Sequence, residues 1–174
     1  MNGIPPDWPY CVAWELALET MIRDYQPADL PAIKAITVEA FNGVSIDRNI
    51  EEQFGEINGH DWRWRKARHI DFDAERDPSG IFVAEQDGAV VGYITTFRDH
   101  EAGVGLIPNL AVDAAFRGQG LGRRLIEYAL NHFREVGLTH ARIETLDQNE
   151  IGQRLYPALG FQEVARQIHF CLRL

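Results

Sequence analysis

The sequence predicts an α/β (α+β) domain in which about four helices flank a sheet of six to seven strands. Short apolar or alternating segments, typical of strands, are interspersed with longer segments whose apolar residues recur at helical spacing. The dipeptide Asp87-Gly88 separates two of the strand segments, as in a β-hairpin. The 174 residues are 45% hydrophobic and 25% charged, which suits a single domain with its own core.

Each element is placed by its own local signal. Pro27-Ala-Asp predicts a turn with Asp29 as a helix N-cap, and Gly137 predicts the end of a later helix. Pro108 removes a backbone donor, so the strand that contains it is expected to be distorted or splayed there. The predicted strands are 21–25, 81–85, 89–97, 106–112, 141–146 and 161–174, of which the last holds one strand or two. The predicted helices are 30–41, 45–58, 61–76, 121–136 and 149–159, where 45–58 and 61–76 form one helical region broken near Asn58-Gly59.

The most informative segment is a glycine-rich loop between a strand and a helix, at residues 109–124. The first N–H groups of a helix have no intrahelical partner, and the helix dipole makes that end attractive to anions. Gly118, Gly120 and Gly122 carry no Cβ, so a phosphate group can approach the backbone closely. The segment therefore predicts a pyrophosphate-binding loop.

The spacing separates three kinds of phosphate-binding loop. A P-loop needs Lys and then Ser or Thr after its last glycine, but Arg123 and Arg124 follow here. A dinucleotide fingerprint that starts at Gly118 needs a glycine at position 123. The remaining pattern, Arg/Gln-x-x-Gly-x-Gly/Ala, is met by Arg117, Gly120 and Gly122.

That pattern resembles the acyl-CoA loop of the GNAT N-acetyltransferases. Residues 21–33 are similar to the first strand and helix of this family, 82–94 to its central hairpin, and 149–161 to its closing helix and final strand. The resemblance implies the GNAT fold, a central mixed and mostly antiparallel sheet splayed at the acyl-CoA site, over residues 21–174. Residues 1–20 are then an N-terminal extension of uncertain origin.

The resemblance also implies an activity and the residues that support it. The chain is expected to be an acyl-CoA-dependent N-acyltransferase, which moves an acetyl group from acetyl-CoA to a primary amine of a small molecule, peptide or protein by direct attack. Tyr156 matches the general acid of the family, and its alternative role is packing on an apolar helix face. Asn149 matches a position that contacts the pantetheine arm, and the sequence supports a helix N-cap there equally well. The acyl-CoA-binding residues that the resemblance implies are Leu110, Ala111, Val112, Arg117, Gly118, Gln119, Gly120, Leu121, Gly122, Arg123 and Asn149.

The sequence assigns no general base. Many relatives carry an acid on the strand before the loop, where this chain has Pro108-Asn109, and an asparagine side chain cannot take a proton at neutral pH. This favours the alternative of a non-catalytic acyl-CoA-binding regulatory module. The charged run 63–77 is interpreted mainly as a solvated helix face, and the alternative is that Trp62 and Trp64 shape an acceptor pocket. Other candidate bases, each interpreted first as a surface or structural group, are Glu85, His100, Glu101 and Glu144.

Composition limits the partners and the compartment. A net charge of −9 argues against a general nucleic-acid or anionic-membrane binder and favours a cationic amine. No run of about eighteen apolar residues is present, so no membrane span is expected. Cys11 and Cys171 lack metal-ligand spacing, which predicts no metal. With only these two cysteines, a reduced pair in a cytoplasmic protein is expected, and a disulfide between them is the alternative. The apolar ending 168–174 suits pairing with a second subunit as a homodimer, or simple core burial.

Overall fold

The computed structural model describes residues 20–174 and contains five strands and five α-helices in that range. The predicted extension 1–20 therefore lies, except for Thr20, outside the described residues. The strands are β1 (Met21–Asp24), β2 (Ile81–Gln86), β3 (Ala89–Asp99), β4 (Val104–Val112) and β5 (His140–Ile143). The helices are α1 (Leu30–Ala40), α2 (Ile46–Phe54), α3 (Trp62–Arg76), α4 (Leu121–Glu135) and α5 (Glu150–Leu155).

The sheet has the order β1-β2-β3-β4-β5, and only the last pair, β4 and β5, is parallel. The β2–β3 hairpin turns through Asp87 and Gly88 at φ 55° and 76°, the left-handed conformation that favours an Asp-Gly pair. Asn58 and Gly59 also have positive φ angles, and they separate α2 from α3 as the sequence predicts. The mixed, mostly antiparallel α/β class is confirmed.

A layer of helices covers each face of the sheet. Helix α4 buries Leu125, Ile126 and Ala129 against one face. Helices α1 and α3 cover the other face through residues such as Ile33 and Ile70, which have no exposed surface. Because helices cover both faces of the sheet, the candidate active site lies where the pairing between β4 and β5 is interrupted.

The prediction of strands in 161–174 is wrong, so the sheet has five strands rather than six to seven. The segment alternates apolar and polar residues, but its large apolar side chains, Val164 and Phe170 among them, are exposed. Alternation reports only which side chains would share a face, whereas a strand also needs an edge to pair with. Strand β5 likewise ends at Ile143, three residues before its predicted end at Leu146.

Candidate active site

Strands β4 and β5 diverge in the middle of the sheet. Their last aligned pair is Ile107 with Ile143. The next residue of β4 is Pro108, which has no N–H to donate, and the register of β4 with β3 shifts at the same level. From Asn109 to Val112, β4 therefore pairs only with β3, and its other edge is open. The splay that Pro108 predicts is confirmed.

The open edge exposes the backbone groups of alternate residues. The Asp113 N–H donates to the Val91 carbonyl at 2.9 Å and so faces β3. Because successive backbone groups of a strand point to opposite edges, Ala111 also directs its N–H and C=O towards β3. Leu110 and Val112 then present theirs to the open edge.

The glycine-rich loop continues from this edge. Gly118 and Gly120 have φ angles of 76° and 79°, and a Cβ at either position would meet no atom within 4 Å. Gly120 is the N-cap of α4, and Leu121 and Gly122 lie in its first turn. Within the described residues, no N–H from 118 to 123 donates to a backbone carbonyl outside the helices and strands. A row of free donors therefore stands at the positive end of α4.

The polar side chains of the loop mostly contact the backbone. The Arg117 Nε donates to the Val112 carbonyl at 3.0 Å, which ties the loop to the open strand. The Gln119 amide lies 3.4 Å from the Ala115 carbonyl. Arg123 turns its guanidinium towards the Ala158 carbonyl at 3.4 Å. These three contacts are exposed, and they connect the loop to the end of β4 and to the segment after α5.

A cleft of about 840 Å³ occupies the space between the diverging strands. Its floor is formed by residues 107–110 of β4, and one wall by 142–149 together with Tyr156. The opposite wall comes from residues 41–47 and from one side of α3, and part of 162–169 lies along the rim. The cleft thus reaches from the open edge of β4 to helices α2 and α3.

Tyr156 lines this cleft at the end of α5. Burial raises the pKa of its phenol, and a hydrogen bond with Thr145 only partly opposes that shift. The phenol is therefore protonated at neutral pH and able to donate. Asn149 is an N-cap, because its side-chain oxygen accepts from the Gly152 N–H at 3.2 Å while its amide donates to the Thr145 hydroxyl at 2.8 Å.

A buried polar network joins the floor of the cleft to the wall formed by α3. The Lys66 Nζ donates to the Asn109 Oδ1 at 2.8 Å. The Asn109 amide and the Thr95 hydroxyl both donate to the Asp73 Oδ2, each at 2.7 Å. The other Asp73 oxygen accepts from Arg76 at 2.9 Å. Asn109, at the position where the sequence lacks a carboxylate, therefore links a lysine to an aspartate.

An aspartate–histidine pair lies in the wall formed by α2 and α3. The Asp47 Oδ2 is 3.3 Å from the His69 Nε2. Burial alone would raise the pKa of Asp47, but the His69 hydrogen bond and the charges of Lys66 and Arg65 hold it below its usual range. The buried Ser45 hydroxyl beside it has no hydrogen-bond partner among the described residues. This corner therefore holds the Asp47 carboxylate between His69 and Arg65, whose Nε is 3.7 Å away, and leaves the Ser45 hydroxyl available to a ligand.

The charged helix face expected at 63–77 is only partly solvated. Trp62, Lys66, Ile70 and Asp73 are all buried, whereas Trp64 is 41% exposed. The signal that could have revealed this is spacing, because these four buried residues follow one another by three or four positions on one helical stripe. Sequence reasoning gave weight to the charges and missed the stripe.

The candidate bases named from sequence are scattered. Glu85 lies on β2, where its carboxylate accepts from Arg23 at 2.6 Å. His100 and Glu101 lie in the turn between β3 and β4. Glu144 lines the cleft and contacts Arg142 at 3.0 Å, with its side chain 71% exposed. The fold therefore brings only Glu144 of this set to the cleft.

The described residues, 20–174, hold neither a cluster of metal ligands nor a helix suited to cross a membrane. No group of three or more His, Cys, Asp or Glu side chains is arranged to hold a metal ion there. None of the helices in that range combines the length and apolarity that crossing a membrane requires.

Known proteins match this chain in sequence and in fold. The model of the acetyltransferase (GNAT) family matches residues 44–161. The mycothiol acetyltransferase of Thermomonospora curvata is 35% identical over 94 residues, covering 54% of this chain and 31% of that protein. That of Parafrankia sp. is 29% identical over 178 residues, covering 86% of this chain and 54% of that protein. The chain thus spans about half, or less, of the length of these relatives.

Solved structures extend the match to the fold. The PaiA N-acetyltransferase of Thermoplasma acidophilum in complex with coenzyme A has a TM-score of 0.66 at 19% identity, over 83% of this chain and 90% of that one. The PH1933 protein of Pyrococcus horikoshii gives 0.66 at 24% identity, over 86% and 92%. At such identities the likeness concerns the fold alone.

Proposed function

Because the chain belongs to the acetyltransferase (GNAT) family, we propose that it transfers an acetyl group from acetyl-CoA to a primary amine by direct attack. The observation that carries the proposal is the continuity of two backbone surfaces. The open edge of β4 at Leu110 and Val112 leads directly into the free N–H groups at the start of α4. An acyl-CoA has the matching chemistry, an amide-rich arm followed by a pyrophosphate.

The donor is bound mainly by backbone groups. The pantetheine amides pair with the free edge at Leu110 and Val112 as an added strand would, while Ala111 keeps β4 attached to β3. The pyrophosphate accepts from the N–H groups of 118–123 at the positive end of α4. Arg117 and Arg123 add positive charge beside the pyrophosphate once their guanidinium groups exchange their backbone contacts for the phosphate oxygens. Asn149 reaches the arm from the opposite wall while it caps α5.

The chemistry is aminolysis of a thioester. A neutral amine attacks the carbonyl carbon, and negative charge develops on the carbonyl oxygen, where the Val112 N–H can donate to it. The C–S bond then breaks and the CoA sulfur takes a proton from the Tyr156 hydroxyl. The raised pKa of Tyr156 keeps that proton in place until the thiolate forms. The phenolate is reprotonated from the attacking nitrogen, which leaves the amide.

The acceptor amine enters from the wall formed by α2 and α3. Asp47 and Asp73 lie on that side, and Glu144 and Asp147 line the wall across from it. Five carboxylates line the cleft against three lysine or arginine side chains, two of which pair with Glu144 and Asp147, so the net charge of the lining favours a cationic amine. Since the relatives are named mycothiol acetyltransferases, amines related to mycothiol are the first acceptors to test, followed by peptide N-termini and small diamines.

The test is amine-dependent release of CoA, measured by chromatography so that thiols in the acceptor do not interfere. We expect release with at least one amine of this panel, and a loss of about 100-fold in kcat for Tyr156→Phe. Tyr128→Phe is the matched control, because Tyr128 lies on the exposed side of α4 at 37% exposure. Tight acetyl-CoA binding without release from any amine would support the non-catalytic acyl-CoA-binding module instead. Unchanged turnover in Tyr156→Phe would remove the general-acid role.

The proposal extends to a homodimer and a cytoplasmic location, both of which stay predictions. The exposed apolar side chains of 164–174 offer a surface that a second copy would cover. Light scattering after gel filtration tests the first point, and a monomeric mass at micromolar concentration would contradict it.

A further inference from the structure

Lys66 is buried in the wall of the cleft without a carboxylate partner. Its residue is 7% exposed, and its Nζ has the Asn109 side-chain oxygen at 2.8 Å and the Phe41 ring centroid at 3.8 Å. The other lysine of the chain, Lys34, contacts the Asp71 carboxylate at 2.8 Å. No such ion pair is formed by Lys66 with any residue between 20 and 174.

The surroundings of Lys66 make its neutral form accessible. Burial lowers the pKa of the Lys66 ammonium to about 8, although the charges of Asp47 on α2 and Asp73 on α3 oppose the shift. Those two carboxylates are already engaged, Asp73 by three hydrogen-bond donors and Asp47 by His69. Strand β4 faces Lys66 with only the neutral amide of Asn109.

We propose that Lys66 is the general base of the acetyl transfer, at the point in the cleft where the strand itself supplies no carboxylate. The inference rests on the proposed function. Neutral Lys66 takes one proton from the acceptor ammonium, directly or through one water, and the freed amine attacks the thioester. The second proton of that nitrogen replaces the one that Tyr156 gives to the CoA sulfur. Lys66 then returns its proton to solvent, so each turnover yields one amide, one CoA thiol and one proton.

The other groups near the cleft are less suited to this role. Asn109 cannot take a proton. Glu144 is exposed and is paired with Arg142. The Nε2 of His69 already faces Asp47, which leaves only its other ring nitrogen for an acceptor. His69 is therefore the competitor that the experiment must separate from Lys66.

Because the chain has only two lysines, the titration of Lys66 can be observed without any substrate. The protein is labelled with ¹³C at lysine Cε, and the two signals are followed from about pH 6 to about pH 10. Lys34→Arg leaves the Lys66 signal alone and Lys66→Arg removes it, which gives the assignment. A Lys66 midpoint near pH 8 supports the proposal. A Lys66 signal that does not move below about pH 9.5 overturns it, whatever the activity of the enzyme.

Kinetics then test whether that proton transfer is used. With one acceptor from the panel, the wild-type kcat/KM should rise to a plateau with an apparent pKa near 8. Lys66→Arg keeps the charge and a donor for Asn109 but cannot lose its proton near neutral pH. We expect this variant to lower kcat/KM about 100-fold and to abolish the rise of kcat/KM with an apparent pKa near 8, the rising limb of the pH profile. Its affinity for acetyl-CoA should be unchanged. Lys34→Arg should behave as wild type.

Each other result has a definite meaning. Full turnover in Lys66→Arg would show that a positive charge alone suffices, and would overturn the proposal while the acetyltransferase function stands. Loss of the limb in His69→Gln rather than in Lys66→Arg would assign the base to His69 and also overturn it. Absence of release from every amine in the wild-type protein would instead overturn the proposed function, and this inference with it.

Discussion

The proposed phosphate site at the loop predicts different consequences for substitutions at two glycines at opposite ends of α4. Gly120 is the N-cap of the helix and Gly137 follows its C-cap, with φ angles of 79° and 82°. Neither position has an atom within 4 Å of where a Cβ would lie. Alanine at either site therefore costs only the left-handed backbone strain, about 1 kcal/mol. Both variants should lower the Tm by about 2–4 °C.

Only Gly120→Ala should also weaken acyl-CoA binding. Its methyl group would project into the open space beside the free N–H groups, where the pyrophosphate is expected. We expect an approximately tenfold weaker Kd for CoA by isothermal titration calorimetry, which corresponds to about 1.4 kcal/mol. Gly137→Ala, with the same strain, should bind as wild type. Equal CoA affinity in both variants would refute a phosphate site at the start of α4.

Three stability predictions follow from packing and charge. A Cβ on Gly105 would lie 2.5 Å from the Phe133 ring, so Gly105→Ala should lose about 1–3 kcal/mol in urea unfolding, and wild-type stability would contradict this packing. Asp73→Asn places an amide NH₂ against the donors of the buried network and should lower the free energy of unfolding by about 1–3 kcal/mol in the same assay. A loss below about 0.5 kcal/mol would argue against the network. The Arg23 hydrogen bond holds the pKa of Asp29 below its ordinary value, so this pair stabilises fully above about pH 4 and less as pH falls through the folded-state pKa. The difference in free energy of unfolding between the wild type and Asp29→Asn should therefore become smaller at acid pH. A difference that does not change with pH would contradict the pairing.

The parts of the fold that were predictable from sequence depend on local chemistry. Asp87-Gly88 sets a hairpin because both residues must adopt positive φ. Pro108 interrupts pairing because it lacks an N–H. The helix start at Gly120 follows from the glycine-rich loop that precedes it. In each case the signal and the structure involve the same few neighbouring residues.

The features that sequence missed depend on distant contacts. The ending 161–174 has strand-like alternation, yet whether it forms a strand depends on a partner edge that its own residues do not encode. Lys66 lies in a run of charges that suggests solvent, and only the packing of Phe41 and β4 against α3 buries it. The link from Lys66 to Asp73 joins two helix positions through Asn109 of β4. Such a link has no signature in any one segment.

The most direct test of the account is thermal unfolding of the protein with and without saturating acetyl-CoA, with NAD and ATP as controls. At about one hundred times its Kd, a specific ligand adds about 2.7 kcal/mol to the free energy of unfolding. For a domain of this size, the Tm should rise by about 5–10 °C with acetyl-CoA and stay unchanged with the other two. No rise with acetyl-CoA, or an equal rise with NAD, would contradict an acyl-CoA site at the open edge of β4.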